Sequence, residues 1–242
     1  MTLRLMVWQV RTWPSHCMVR EKNGTSPMVG DRSITRACKD SDGAYGAKRR
    51  RQFIIAATEA FFANGYGSTT MTSIASKVGG SKTTLWSYFP SKEALFAAVI
   101  DDIIETRGEA LSVDLPDDEE LRPFLARFGA VLMATLLSEP ILNLHRLVIG
   151  EARRFPHLAE LFYERGPRRG KARLADYFAR AMHQGRLRQG DPAVAAQQFA
   201  ALCQAGTYQF AIMNLPIPDR EAQVAADIEY AAEAFTRGWA LG

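Results

Sequence analysis

The chain has 242 residues, 47% apolar and 23% charged, a balance that excludes a fully disordered chain, a collagen and a coiled-coil rod. With 18 Gly and 11 Pro it is not low-complexity sequence, and no stretch approaches the roughly 18 apolar residues of a membrane span. The net charge of +4 hides an uneven distribution: residues 1–47 carry +3, residues 48–92 carry +6 with Glu59 as their single acid, and residues 93–242 carry −5.

A basic segment of 45 residues ahead of an acidic body is the footprint of a phosphate-binding module joined to a separate domain. On charge alone a solvated basic face fits equally well. The three cysteines, Cys17, Cys38 and Cys203, are odd in number and fit neither a disulfide framework nor a zinc site. A reduced, cytoplasmic protein without metal or cofactor is expected. The apolar stretch at 5–10 is short, is followed by Arg11 and lacks a small-residue cleavage site, so it does not read as a signal peptide.

Residues 1–46 lack a sustained period and read as a disordered or weakly ordered extension. A start further downstream, for instance at Met28, is the alternative. From Lys48 the pattern is helical, with no alternating β-branched run. The first helix is expected over about 48–64, with Phe53, Ala57, Ala60 and Phe61 on one stripe and Gly65 and Gly67 ending it. Two short helices follow at about 71–78 and 82–88. The first is capped by Thr70 or Thr72, the second by Ser81, and Gly79 makes the turn between them.

A long helix is expected from about Lys92 to Val113, and an acid-rich linker at 114–120. Helices are then expected at about 118–138, 141–154, 157–165 and 168–186. Asp191-Pro192 opens another that ends near Asn214, and the last covers about 219–239. That makes ten helices and no strands, an all-α protein of two helix-on-helix layers. The expected domains are the extension (1–46), a DNA-binding domain (47–92) and a helical effector-binding and dimerisation domain (93–242).

Residues 65–92 read as a helix-turn-helix, because two short helices meet at a tight glycine turn. Ile74, Ala75, Leu85 and Phe89 face inward. Lys82, Thr83, Thr84, Ser87 and Tyr88 face outward with short or flexible donors suited to bases and phosphates. A polar surface that happens to lie between two turns is the bland reading.

In order, the chain presents a basic arm, Phe61-Phe62, Gly65-Tyr66, Thr69-Thr70, Ile74-Ala75, Gly79, Ser81, Thr84-Leu85-Trp86, Tyr88-Phe89 and Lys92-Glu93-Leu95. Over residues 48–96 this resembles the N-terminal domain of the TetR family of one-component bacterial transcriptional regulators. The run at 146–167 resembles the AefR-like C-terminal subtype.

The resemblance implies a three-helix DNA-binding domain in which Thr70 and Thr72 touch phosphate or a base edge. Lys82, Thr83 and Thr84 would face bases in the major groove, with Ser81 at the cap of that recognition helix and Ser87 on its exposed face. Trp86, Tyr88 and Lys92 would hold phosphates, and Lys48 and Arg49 would add attraction independent of sequence. Two departures stand out. Gly80 occupies a position where the family usually has an apolar residue, and Trp86 one where it usually has Tyr.

The resemblance further implies a homodimer on a double-stranded, palindromic DNA operator, released by a small-molecule effector. Candidate pocket residues among the middle helices are Phe124, Phe128, Met133, His145, Ile149, Phe162, Tyr163, Tyr177 and Tyr208, so an apolar or aromatic effector is expected. Glu151 is a further polar candidate; the alternatives are that it pairs with Arg153, Arg154 or Arg146 on the surface and that His145 is a satisfied core histidine. In the last two helices Ala195, Phe199, Leu202, Gly206 and Phe210, then Ile228, Ala232, Phe235 and Trp239, recur at spacings of 3 or 4 and suggest an intersubunit bundle; a buried core helix is the alternative. Regulation through a protein partner without an inducer is the second function considered. A helical enzyme is a distant third, because no nucleophile motif, phosphate loop, HExxH or CxxC pair is present.

Overall fold

A computed structural model describes residues 32–79, 81–107 and 120–241, with side chains from residue 45. Expectations for residues 1–31, for Gly80 and for all of the linker at 114–120 except Glu120 lie outside the described residues, as does any extension of the fourth helix beyond Arg107. The residues from Ala44 onward form one compact unit, which contains every helix described below except the first turns of the first.

Eleven helices are present among the described residues, and the sole β feature there is an isolated bridge between Leu187 and Ala240. The first, α1 (Arg32–Ser68), begins sixteen residues before the expected start, inside the segment read as weakly ordered. Its only interior break is Gly65, at φ 76° and ψ 164°, a conformation that favours glycine. The buried Thr69 closes this break, its hydroxyl donating to the carbonyls of Gly65 (2.8 Å) and Ala60 (3.1 Å).

Two short helices follow, α2 (Met71–Lys77) and α3 (Lys82–Tyr88). Helices of seven residues are marginal alone, so caps and packing hold them. Thr70 and Ser73 form a reciprocal capping box on α2, and Ser81 Oγ accepts from the Thr84 amide at 3.1 Å on α3. Gly79 turns between them at φ 69°. Next come α4 (Lys92–Arg107), α5 (Leu121–Leu136), α6 (Glu139–Glu151), α7 (Pro156–Arg165) and α8 (Pro167–His183). Pro140, Pro156, Pro167 and Pro192 all sit in first turns, where a missing N–H costs nothing.

The helix expected from Pro192 to Asn214 is two, α9 (Pro192–Cys203) and α10 (Thr207–Ile212), broken at 204–206; α11 (Arg220–Trp239) closes the chain. The break has a cause. The carboxylate of Asp227 on α11 reaches the start of α10 and accepts from the Thr207 amide at 2.6 Å. A Cβ on Gly206 would lie 2.2 Å from its Oδ1, so only glycine fits there.

The apolar interior forms two clusters. One joins α1, α2 and α3 to α4, α6 and α7, with Phe53, Phe61, Ile74, Leu85, Phe96, Leu144 and Leu158 all buried. The other joins α5, α8, α9, α10 and α11 around Phe124, Phe128, Phe178, Phe199 and Phe235. Among the described residues no single helix is long and apolar enough to cross a membrane.

Candidate functional site

The helix-turn-helix has a dry underside and a polar outer face. Ile74, Leu85 and Phe89 are at most 2% exposed, which anchors α2 and α3. Lys82, Thr83, Trp86 and Ser87 on α3 are exposed, as are Ser81 at its cap and Thr70 and Thr72 at α2. Trp86 is 47% exposed, a large ring left without cover. Thr84 is half-buried, and its hydroxyl lies 2.8 Å from that of Ser81 within the cap. Tyr88 is half-buried too, its ring 6.0 Å from that of Phe53.

The basic start of the side-chain-resolved part of α1 packs beside the end of α3. Arg50 lies over the ring of Phe89 (5.1 Å) and Arg49 over that of Phe53 (5.4 Å). Arg51 and Lys77 have acids, Asp102 at 3.3 Å and Glu59 at 2.6 Å. Among the described residues no acid pairs with Lys48 or Lys82, so their charge faces solvent. Lys92, expected at a phosphate, packs against an aromatic ring. Its ammonium lies 4.2 Å over the Tyr66 ring, and burial lowers its pKa despite Glu93 and Glu151 nearby.

Tyr66 ties this region to the body. It is buried, stacks on Phe61 at 5.5 Å and meets Phe96 and Phe155 edge-on. Its hydroxyl donates to Glu93 Oε1 at 3.2 Å. One residue on, the Gly67 amide donates to Glu151 Oε1 at 2.8 Å, beside Arg154. Glu151 is therefore not a cavity residue but a partner of the break that ends α1. Sequence reasoning missed this because it read each helix apart.

A cavity of about 500 Å³ opens where the two apolar clusters meet. Ile104, Ile141, Val148 and Phe162 face it from the first cluster, and Phe128, Leu132, Leu174 and Tyr208 from the second. Of the nine residues expected there, Phe128, His145, Ile149, Phe162, Tyr163 and Tyr208 line it. Phe124, Met133 and Tyr177 do not. Phe124 and Tyr177 stack on each other at 3.7 Å in the second cluster, and Met133 is fully buried there, so helical phase alone did not separate cavity wall from core. Leu132, Thr135, Ile141, Lys171, Leu174 and Gln204 were not anticipated; they come from three helices, α5, α6 and α8, and from the end of α9, with no shared local signal.

The polar centre of the cavity is His145, 9% exposed on α6. Its Nδ1 lies 2.7 Å from the hydroxyl of Tyr208 on α10, and its ring meets Phe162 edge-on at 4.7 Å. Burial pushes the imidazole down to about 4 and the Tyr208 phenol up, so both are neutral near pH 7.

The interface expectation needs correction. Ala195, Phe199, Ile228, Ala232, Phe235 and Trp239 are all buried within their own protomer. Phe235 stacks on Phe178 at 4.8 Å, and the Trp239 indole donates to Gln198 at 2.8 Å. Side chains already covered have no surface to offer a second chain. Leu202 and Gly206 are half-buried, and of the nine only Phe210, 49% exposed, stands clear. It has company: Met213, Leu215 and Tyr230 are 60%, 45% and 70% exposed. On α11 the exposed Ala222, Ala226, Tyr230, Ala234 and Gly238 recur every fourth residue.

Comparison with known proteins agrees with this architecture. Residues 53–99 match the family model for bacterial regulatory proteins of the tetR family, and residues 123–240 that for the AefR-like transcriptional repressor C-terminal domain. The flavonoid-responsive regulator FrrA is 33% identical with a TM-score of 0.69, over 80% of this chain and 98% of its own. A TetR-family regulator structure from Mesorhizobium loti MAFF303099 is 31% identical with a TM-score of 0.65, over 81% and 98%. The transcriptional activator FasR of Mycolicibacterium smegmatis is 32% identical over 106 residues, 42% of this chain and 45% of FasR. The regulator RutR of Escherichia coli K12 is 40% identical over 57 residues, 24% and 27%. The chain thus spans less than half the length of the curated relatives it matches. It is an all-α protein whose relatives are transcriptional regulators rather than enzymes, and it belongs to the TetR family of DNA-binding transcriptional regulators.

Proposed function

We propose that this regulator is a repressor that binds a palindromic DNA operator as a cytoplasmic homodimer and is released by a small, apolar or aromatic effector. The observation that carries it is one chain with two unlike surfaces. An exposed row of donors stands on a dry helix-turn-helix, and a 500 Å³ cavity lies behind it. In this reading Ser81, Lys82, Thr83 and Ser87 approach bases. Thr70, Thr72, Thr84, Trp86 and Tyr88 sit at the backbone, with Lys48, Arg49 and Lys92 adding charge. The second copy docks on Phe210, Met213, Leu215, Tyr230 and the small-residue row of α11. Exposed apolar surface on elements outside the helix-turn-helix supports this, since a two-fold axis there leaves two reading heads free.

The switch follows from linkage. An effector that binds better to a form whose recognition helices are misplaced must lower DNA affinity by the same factor by which DNA lowers its own. Helix α6 suits the task. It carries His145, Val148 and Ile149 in the cavity wall and, two residues beyond Ile149, the carboxylate that holds Gly67. FrrA is flavonoid-responsive by name, which supports an aromatic effector for this chain as well. Control by a protein partner alone leaves the cavity without a purpose.

Genome-wide mapping of bound DNA, followed by titration of the mapped operator in the presence of candidate effectors, tests this. Expected are a two-fold-symmetric site, a mass of two chains on it, and release by an effector. Bound sites without symmetry, or operator affinity unmoved by every ligand that fills the cavity, would refute it. Loss of the gene is expected to raise transcription from the mapped promoter; a fall would reverse the sign to that of an activator, as FasR is named.

A further inference from the structure

The cavity wall is almost entirely apolar, so the few polar atoms on it decide what it takes. Lys171 is the only ionised side chain lining it among the described residues, and its ammonium lies 5.5 Å from the Tyr163 ring. Among the described residues no carboxylate lines the cavity. His145 and Tyr208, both buried, are the polar pair at its inner wall. The Nδ1 of His145 is engaged by Tyr208, and among the described residues its Nε2 has no hydrogen-bond partner.

The state of that free nitrogen follows from its neighbour. A buried imidazole is uncharged here, so one ring nitrogen carries the proton and the other accepts. A phenol is a stronger donor than a neutral imidazole N–H, and an imidazole nitrogen a stronger acceptor than a phenol oxygen. The favoured arrangement of the 2.7 Å contact therefore has the Tyr208 hydroxyl donating to Nδ1. That places the ring proton on Nε2 and makes it a donor. A donor left unpaired in an apolar site is costly, so it selects for an acceptor on whatever fills the site.

We propose that the effector is an uncharged, mainly aromatic molecule that presents a hydrogen-bond-accepting oxygen, such as a carbonyl, to Nε2–H of His145. Tyr208 is a positioning residue, because it fixes which nitrogen bears the proton. Phe128, Phe162 and Tyr163 supply ring surfaces for the aromatic body. This deepens the effector reading and rests on it.

Three probes of matched skeleton test it by calorimetry on the purified full chain: benzophenone, diphenylmethane, which lacks the oxygen, and diphenylacetate, which carries a charge. Benzophenone is expected to bind about tenfold more tightly than diphenylmethane, the usual cost of one unpaired buried donor. In His145→Leu the two are expected to bind alike, while His145→Gln restores part of the preference through its amide N–H. Tyr208→Phe, which removes one oxygen and keeps the ring, is expected to erode the preference without abolishing diphenylmethane binding. It stands in for His145→Leu if melting by circular dichroism shows that variant unfolded. Equal binding of the two neutral probes to the wild type would overturn the inference. So would tightest binding by diphenylacetate, lost in Lys171→Met. If none of the three binds, the inference fails also; release of mapped operator by some other small molecule would then leave the effector reading standing without it.

Discussion

The two apolar clusters of this protein are built by different rules. The first is assembled largely from neighbours in sequence: α1, α2, α3 and α4 follow one another, each short element carrying its own cap and turn. The second draws α5, α8, α9, α10 and α11 together across more than a hundred residues, with few side-chain caps. Local signals thus prescribe the reading head, whereas the body is prescribed by which helices happen to face one another. The cavity lies between the two, where neither rule applies alone, and α6, which lines it, also holds Gly67 of α1 through Glu151.

The strongest way to break this contrast is to weaken each cluster in turn. Phe61→Ala and Phe235→Ala each empty a site at most 1% exposed and are expected to cost about 3–5 kcal/mol. Because residues 44–242 form one compact unit, each variant is expected to melt in a single transition. Two transitions in calorimetry for Phe61→Ala would show that the clusters fold independently.

Next in size is the pH dependence set by His145. Its folded pKa of about 4 lies below its ordinary value of 6.5, so the unfolded chain takes up the proton first as pH falls. The stabilisation is complete above about pH 6.5 and lost progressively toward pH 4, by roughly 3 kcal/mol in all. Urea melts at pH 7 and pH 4.5 are expected to converge in His145→Gln. An unchanged pH dependence in that variant would place the effect elsewhere.

A smaller effect is expected from Lys48→Ala, Arg49→Ala and Lys82→Ala combined. DNA affinity falls, and the slope of log K against log salt becomes shallower by up to about 0.9 for each phosphate contact removed. Binding of ligands in the cavity should not change, and any change there would mean the regions are less separate than the structure suggests. The smallest and most informative variant is Glu151→Ala. Losing one acceptor for the Gly67 amide is expected to cost about 1 kcal/mol of stability. DNA and effector should each still bind while the effect of one on the other shrinks. Full coupling in this variant would acquit Glu151.

What the sequence made legible divides along the same line. Thr70, Gly79 and Ser81 announce the helix-turn-helix because capping and left-handed turns demand those residue types locally. His145, Phe162 and Tyr208 were readable as pocket candidates because aromatic and polar groups in middle helices stand out. Phe124 and Tyr177 have the same look and lie in the core, since only the packing partner separates the two fates. Phe199 and Phe235 failed as interface residues for a related reason. A helix that is apolar on two sides needs two neighbours, and for these residues both neighbours are in the same protomer. The break at 204–206 was illegible because its cause, Asp227, comes twenty residues later.

That short helix has a consequence of its own. Six residues cannot hold a helix unaided, and α10 is pinned at both ends, by Asp227 at its first amide and by the Arg146 guanidinium on the carbonyls of Ala211 and Ile212. Between the pins it acts as a two-sided tile. Tyr208 points to the cavity and Phe210, two positions on, to the outside. Any molecule that shifts Tyr208 must turn Phe210 with it, and any surface laid over Phe210 restrains Tyr208. In the proposed dimer, copies meeting on that face would tie the affinity of the cavity for its guest to protein concentration, and dilution would become a regulatory variable in its own right.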